Sequence, residues 1–224
     1  MHPAKHSVYF TPIGAIRHVR SRYPGNSITR QRALQVQDHE NGMERRKMNV
    51  ADAIYNRHSY RGIYKTASVP REDLITILKA GLAAPSGCNK QTTSLIAVDD
   101  PEVLKKLHGV IHPDVGQTAP AAICVLTQRI CAYRDKCFAV QDYSAAIQNM
   151  LLTIVDLGYQ SCWYEGHITD DDRICDKMAQ ILNIPADYEL VCFLPVGIAE
   201  GNPVIPGKKS FEERAWFNSF PQAR

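Results

Sequence analysis

The sequence predicts an α/β-type sandwich of helices and a sheet, on three observations. Helical segments alternate with short apolar segments, as expected for layers of helices and strands. The segment Ala121–Thr127 carries no charge, which is typical of a strand buried on both faces. The composition, with 45% hydrophobic and 22% charged residues, is that of a globular domain and excludes collagen-like and wholly disordered chains.

The first predicted elements follow a change in composition at Met48. In order, they are a helix over residues 49–56, a helix over 70–84, a strand over 94–98, a helix over 101–110 and the strand at 121–127. Asn49 is a favoured residue for capping the first helix, and Pro70 suits the first position of the second. The second helix carries an apolar stripe that predicts burial of one face.

A long helix begins the second half of the chain. The elements predicted here are a helix over residues 138–157, a strand over 160–164, a helix over 170–182 and a strand over 188–198. Apolar residues surround the long helix, which predicts burial on two sides. Gly158 suits the position after its end, and the acidic run at 170–172 favours the positive end of the next helix.

Residues 1–47 differ in charge from the rest of the chain, since they contain nine basic residues and only three acidic ones. Low hydrophobicity with net charge predicts a disordered N-terminal extension, followed by one folded domain over residues 48–224. The alternatives are a basic arm that binds nucleic acid or lipid, a leader without function, and a true start at Met43 or Met48. Since no aromatic residues mark a stacking surface, we predict no nucleic-acid partner.

The seven cysteines are odd in number and none form a C-x-x-C pair, which argues against zinc ribbons and secreted disulfide frameworks and predicts a cytoplasmic protein. No apolar run approaches the ~18 residues that span a bilayer, so we predict no membrane association. His108 and His112 have the spacing of paired ligands on a helix, but Pro113 ends that helix. We therefore predict no metal site.

Four segments carry groups suited to binding an organic phosphate. Residues 57–61 combine two arginines with a serine, and arginine offers a planar fork of donors for phosphate, although a surface patch explains them equally well. Residues 84–91 form a Pro- and Gly-containing turn with Asn and Gln side chains that can read a heterocycle, although a plain loop remains possible. The others are residues 158–166 and the stretch from Gly197 to Lys209.

Together these segments resemble the FMN-dependent nitroreductase family, over about residues 48–217. The matching patterns are R-[RH]-S-x-[RK] at 57–61, A-P-S-x-x-N-x-Q at 84–91, A-A-x-Q-N-x-x-L at 145–152, G-[LY]-x-S-x-W at 158–163 and P-V-G at 195–197. The resemblance implies an α+β fold in which helices sandwich a mixed β-sheet. It also implies an intertwined homodimer with FMN at the interface.

The resemblance also implies roles for individual residues. The FMN phosphate and pyrimidine contacts would be Arg57, Ser59 and Arg61, with His58 beside them. Asn89 would bond the isoalloxazine, in a loop that Pro85, Ser86 and Gly87 shape. The backbone at Glu165 or Gly166 would meet flavin N5, and Lys208 or Lys209 would return to the phosphate.

The activity implied is ping-pong hydride transfer from NADH or NADPH, through flavin N5, to a nitroaromatic, quinone or similar small acceptor. The cofactor carries this chemistry, so no side chain is expected to be catalytic. Only residues 128–139 separate the strand at 121–127 from the long helix, which implies an open pocket. The alternative is a flavin-binding protein without turnover, either a redox sensor or a flavin-processing relative.

Overall fold

The computed structural model describes residues 48–221. The prediction for residues 1–47 lies outside the described residues, so the domain boundary stays a prediction. The helices are α1 (Val50–Asn56), α2 (Arg71–Leu82), α3 (Pro101–His108), α4 (Ala139–Asp156) and α5 (Ile174–Ile181). The strands are β1 (Thr93–Val98), β2 (Ala121–Thr127), β3 (Cys131–Tyr133), β4 (Lys136–Cys137) and β5 (Glu189–Val196).

The central sheet has the strand order β1-β2-β5, with β2 in the middle. Both pairings are antiparallel, and at the centre Cys124 lies opposite Ile96 on one side and Phe193 on the other. All seven residues of β2 are buried, as the absence of charge predicted. The sequence indicated a mixed sheet, but these three strands have only antiparallel neighbours.

Side chains of β2 alternate between two hydrophobic clusters, one on each face of the sheet. The cluster formed with helices α2 and α4 takes Ala121, Ile123 and Val125. The cluster formed with helices α3 and α5 takes Ala122, Cys124 and Leu126. Because successive strand residues point to opposite faces, a fully apolar strand can be covered by helices on both sides. The α+β sandwich is therefore confirmed.

Helix α4 ends as the sequence predicts, in a left-handed glycine turn. Gly158 has a φ of +84°, and its N–H donates to the Val155 carbonyl oxygen at 3.0 Å. The N–H of Tyr159 donates to the Ile154 carbonyl oxygen at 2.9 Å. These two bonds form a Schellman motif, which satisfies carbonyl groups that the helix end would otherwise leave unpaired.

Two predicted helix starts are wrong. Pro70 is the N-cap of α2 and not its first helical residue. Helix α5 begins only at Ile174, because Arg173 has a left-handed backbone with a φ of +55° that breaks the chain direction after the three aspartates. The acidic run at 170–172 thus precedes this helix and does not form its first turn.

The predicted strand over residues 160–164 is also wrong. Only its ends pair with β5 or its extension, Gln160 with Gly197 and Tyr164 with Phe193. Between them, the carbonyl oxygen of Ser161 accepts the N–H of Tyr60 at 2.8 Å. This backbone group is therefore used by another segment, and the continuous ladder of a strand cannot form.

Helix α3 ends at His108, four residues before His112, so the two histidines do not share a helix. His108 is buried in edge contact with the ring of Phe193, and burial lowers its pKa, with Asp114 opposing the shift. Among residues 48–221 there is no group of three or more ligand side chains that could hold a metal ion. No helix in that range is long and apolar enough to cross a membrane.

We predict that Gly158→Ala lowers the free energy of unfolding by about 1–2 kcal/mol, because an L-residue in the left-handed region brings its Cβ against the backbone. Urea denaturation measures the loss. Gly201→Ala is the control, since a Cβ there would meet no atom within 4 Å and the residue lacks a positive φ. An equal loss in both variants would contradict the assignment of the turn.

Candidate functional site

Backbone hydrogen bonds bring three of the four sequence segments together. The N–H of Tyr60, in the first segment, donates to Ser161 in the third at 2.8 Å. The N–H of Gln160 donates to Gly197, which begins the fourth segment, at 2.8 Å. Gly197 also lies against Tyr64, because a Cβ built on it would stand 2.9 Å from the Tyr64 ring. Hydrogen bonds and close packing thus hold the segments around residues 60, 160 and 197 next to one another.

The first segment separates a buried histidine from accessible cations. His58 is 2% exposed, and its Nδ1 donates to the Asn56 carbonyl oxygen at 2.8 Å. Arg57 and Ser59 are half-buried, and Arg61 is exposed. Burial raises the pKa of the Cys162 thiol to about 11. The charge of Arg61 opposes this shift, so Arg61 lies near Cys162. His58 anchors the segment, so Arg57, Ser59 and Arg61 are the groups that a ligand can reach.

The second segment is a tight turn with unusual backbone geometry. Gly87–Asn89 forms a single 3-10 turn. The φ angle is left-handed at Cys88 (49°) and Asn89 (54°) within the turn, and at Gln91 (50°) just after it. Ser86 Oγ stabilises it by accepting the Gln91 N–H at 2.9 Å. Asn89 is exposed, with its side chain available to a ligand.

A buried carboxylate at the start of α4 holds this turn in place. Asp142 is 4% exposed. Its Oδ1 accepts the N–H of Gly87 at 2.7 Å, and its Oδ2 accepts the hydroxyl of Thr92 at 2.7 Å. Hydrogen bonds to an ionised acceptor are about twice as strong as neutral ones. Asp142 therefore fixes both ends of the segment that carries Asn89.

An open groove of about 220 Å³ lies between the turn and α4. Its lining residues are Pro85, Ser86, Gly87, Phe138, Gln141, Asp142 and Ala145. Glycine is required at 87, because a Cβ there would stand 2.6 Å from Phe138 Cδ2 and 2.7 Å from Phe138 Cβ. The turn approaches the helix closely, and three of the sequence-predicted loop residues face the same groove.

The third segment is anchored by the residue next to Asp142. The hydroxyl of Tyr143 donates to Glu165 Oε1 at 2.7 Å, and Trp163 Nε1–H donates to Glu165 Oε2 at 2.6 Å. Burial raises the pKa of Tyr143, and the hydrogen bond to Glu165 adds to this effect. Glu165 is half-buried, while Gly166 is exposed with no atom within 4 Å of a Cβ built on it. The Glu165 carboxylate is thus held by two side chains, and its carbonyl oxygen accepts the N–H groups of Ile168 and Thr169 at 2.8 and 3.1 Å.

Lys208 and Lys209 lie in an irregular, exposed stretch before the 3-10 turn Phe211–Glu213. Within residues 48–221 neither lysine makes a hydrogen bond or an ion pair, and the structure does not bring them to Arg57 or Arg61 through any such bond. Their assignment to the phosphate stays a prediction.

Sequence reasoning missed the two residues that organise the site. Asp142 and Tyr143 lie in an apolar helix that the sequence marks only as buried. A carboxylate among apolar residues is the available signal, because a buried charge requires partners. The partners themselves, 55 and 22 residues away, could not be read from the sequence.

Comparison with known proteins decides the family. The family model described as the Nitroreductase family matches residues 54–121 and 111–198, which together cover most of the described chain. The chain belongs to the nitroreductase family. The fold, the four segments and their order agree with this membership.

Two relatives carry the same provisional name, NADH dehydrogenase/NAD(P)H nitroreductase. The one from Archaeoglobus fulgidus is 34% identical over 147 residues, which are 64% of this chain and 82% of that protein. The one from Methanothermobacter thermautotrophicus is 33% identical over 159 residues, or 70% and 81%. A solved structure of an FMN-dependent nitroreductase from Clostridium difficile is 28% identical, with a TM-score of 0.64, and the match covers 75% of this chain and 98% of that one.

For this member of the nitroreductase family, we predict that Asp142→Asn lowers the free energy of unfolding by about 1–3 kcal/mol, since its NH₂ group would face one of the two donors. It should also speed amide hydrogen exchange at Gly87. Thr92→Val removes only one of the two bonds and should cost less, and Asp135→Asn, on the exposed hairpin turn, is the control. Unchanged exchange at Gly87 in the Asp142 variant would contradict this role.

Proposed function

We propose that this nitroreductase-family protein binds FMN and passes hydride from NADH or NADPH to small electron acceptors in a ping-pong cycle. The observation that carries the proposal is the joint anchoring of two segments, the turn at residues 85–89 and the backbone at Glu165 and Gly166. Both are fixed by adjacent residues of α4, beside an open groove. The names of the relatives support nicotinamide as donor and FMN as cofactor.

The chemistry of the available groups fits FMN. Within residues 48–221, Arg57 and Arg61 make no ion pair with a carboxylate, so both guanidinium groups are available to a phosphate. Ser59 adds a hydroxyl donor, and Lys208 or Lys209 supplies a further point charge. Cations near the pyrimidine side of the ring would stabilise the negative charge of the reduced cofactor.

The ring would lie between the turn and the third segment. Asn89 offers an amide that can both donate and accept, as the edge of a flavin requires. The backbone N–H of Glu165 or of the exposed Gly166 would lie beside N5, the atom through which FMN would supply the hydride chemistry when bound. Because Tyr143 and Trp163 hold the Glu165 carboxylate, the side chain cannot swing across this position.

The acceptor side of the pocket is open. Between β2 and α4 the described chain contains only the short hairpin formed by β3 and β4, with no helix in this connection. A planar nitroaromatic or quinone could therefore take the place that the nicotinamide leaves. No ionisable side chain is needed for either hydride step, and we propose no catalytic residue.

We also propose that the protein is a homodimer with FMN at the interface. Large apolar side chains are exposed in the described chain at both of its ends, namely Val50, Ile54, Tyr55, Phe211, Phe217 and Phe220. Burial of these side chains against a second copy would remove apolar surface from water, which supports the proposal. If a second copy covers Phe211, Phe217 and Phe220, the nearby Lys208 would also lie close to that copy.

We also propose a cytoplasmic location. All seven cysteines are free, which supports a reducing environment.

Replacing Arg57 and Arg61 by alanine should weaken FMN binding roughly 10- to 100-fold for each residue, because each removes a charge-assisted bond of about 1.5–3 kcal/mol. Equilibrium titration of the apoprotein with FMN, followed by flavin fluorescence, measures the change. Lys105→Ala, an exposed cation on α3, is the control. If the arginine variants bind FMN as the parent does, the phosphate assignment fails.

The proposed reaction is tested by visible spectroscopy under anaerobic conditions. FMN-loaded protein should lose its flavin absorbance when NADH or NADPH is added and regain it when a nitroaromatic or quinone follows. A protein that binds FMN but is not bleached by either nicotinamide would instead be a flavin-binding protein without turnover. A protein that cannot be loaded with FMN would contradict both functions.

A further inference from the structure

Two exposed cysteines lie opposite each other in the β3–β4 hairpin. Cys131 begins β3, Cys137 ends β4, and the antiparallel register pairs them directly, with an irregularity before Tyr133. Both thiols are free and exposed, whereas Cys124, Cys162 and Cys192 are buried. The hairpin is not used by the proposed hydride chemistry.

The direct pairing of Cys131 with Cys137 is compatible with the spacing of a disulfide. Directly opposed residues of an antiparallel pair have Cα atoms about 4.5–5.5 Å apart and side chains on the same face. Disulfides span Cα separations of about 4.4–6.8 Å. A bond between Cys131 and Cys137 therefore requires rotation of side chains and no rearrangement of the strands.

An ion pair fixes the start of the hairpin. Two hydrogen bonds to Glu189, of 2.7 and 3.0 Å, hold the guanidinium of Arg129, two residues before Cys131. The pair ties the hairpin to the first residue of β5. The thiolate is the nucleophilic form of cysteine. Either exposed thiol of the pair can therefore attack, and the opposed thiol is placed to resolve the product.

The hairpin also touches the turn that carries Asn89. Cα atoms of β3 and of the turn Gly87–Asn89 come within 8 Å of each other. The same turn presents a third exposed thiol, Cys88. A covalent link across the hairpin would therefore restrain a wall next to the groove, and Cys88 is the natural competitor for the same chemistry.

We propose that Cys131 and Cys137 form a reversible dithiol–disulfide pair oxidised by low-molecular-weight disulfides. One of the two cysteines, as the thiolate, attacks one sulfur of the small disulfide and releases one small thiol. The opposed cysteine then attacks the protein sulfur of this mixed disulfide and releases the second small thiol. The protein loses two electrons and two protons, and the small disulfide takes up both as two thiols. The step needs neither flavin nor nicotinamide, so it stands apart from the proposed function.

The test exposes the full-length protein to oxidised glutathione and then blocks the remaining thiols. We expect the loss of two reactive thiols per chain and their return with excess reduced glutathione. Trypsin cleaves after Arg134 and Lys136, between the two cysteines, so unreduced digests should contain two peptides joined by the disulfide. Tandem mass spectrometry then distinguishes Cys137 from Cys162, which lies on the same tryptic peptide.

Variants that remove one thiol test the pairing. Cys131→Ser should trap one glutathione on Cys137, and Cys137→Ser should trap one on Cys131, because each variant lacks the resolving thiol. Cys88→Ser should form the disulfide as the parent does. A bond between Cys88 and Cys131, a disulfide between two chains, or stable glutathione on both hairpin cysteines of the parent would each overturn the proposal.

Discussion

The first turn of α4 is the constraint on which the candidate site depends. Two consecutive residues there hold two distant parts of the chain, since Asp142 fixes the turn at Gly87 and Tyr143 fixes Glu165. A buried carboxylate is costly unless donors satisfy it, so the folded state requires the turn to be in place. Both hydrogen bonds start from one helix, so the turn at Gly87 and the segment at Glu165 have fixed positions relative to each other.

The sheet explains why α4 can serve as such a support. Because β2 is apolar throughout, its alternate side chains form one cluster with α2 and α4 and another with α3 and α5. Packing on the sheet fixes the axis of α4, and the Schellman turn at Gly158 fixes where it ends. The polar residues of its first turn are then presented at a defined height above the sheet.

Much of this could be predicted from local patterns. Local sequence patterns located the five α-helices of residues 48–221, and the absence of charge located β2. The short segments resembled the family that the family model then matched. The strand over 160–164 was wrong because a distant residue, Tyr60, uses the Ser161 carbonyl oxygen. The β3–β4 hairpin was missed because its strands have only three and two residues. The contacts of Asp142 were beyond prediction since they join residues far apart in sequence.

The brevity of the connection between β2 and α4 has a consequence for how this protein could diversify. The hairpin is held at its base, where Arg129 pairs with Glu189 and Phe138 packs on Gly87. Its tip at Arg134 and Asp135 is exposed and supports nothing in the core. Residues inserted at this tip could extend over the groove without disturbing the fold. Shape selection among substrates can therefore be acquired by lengthening a single loop.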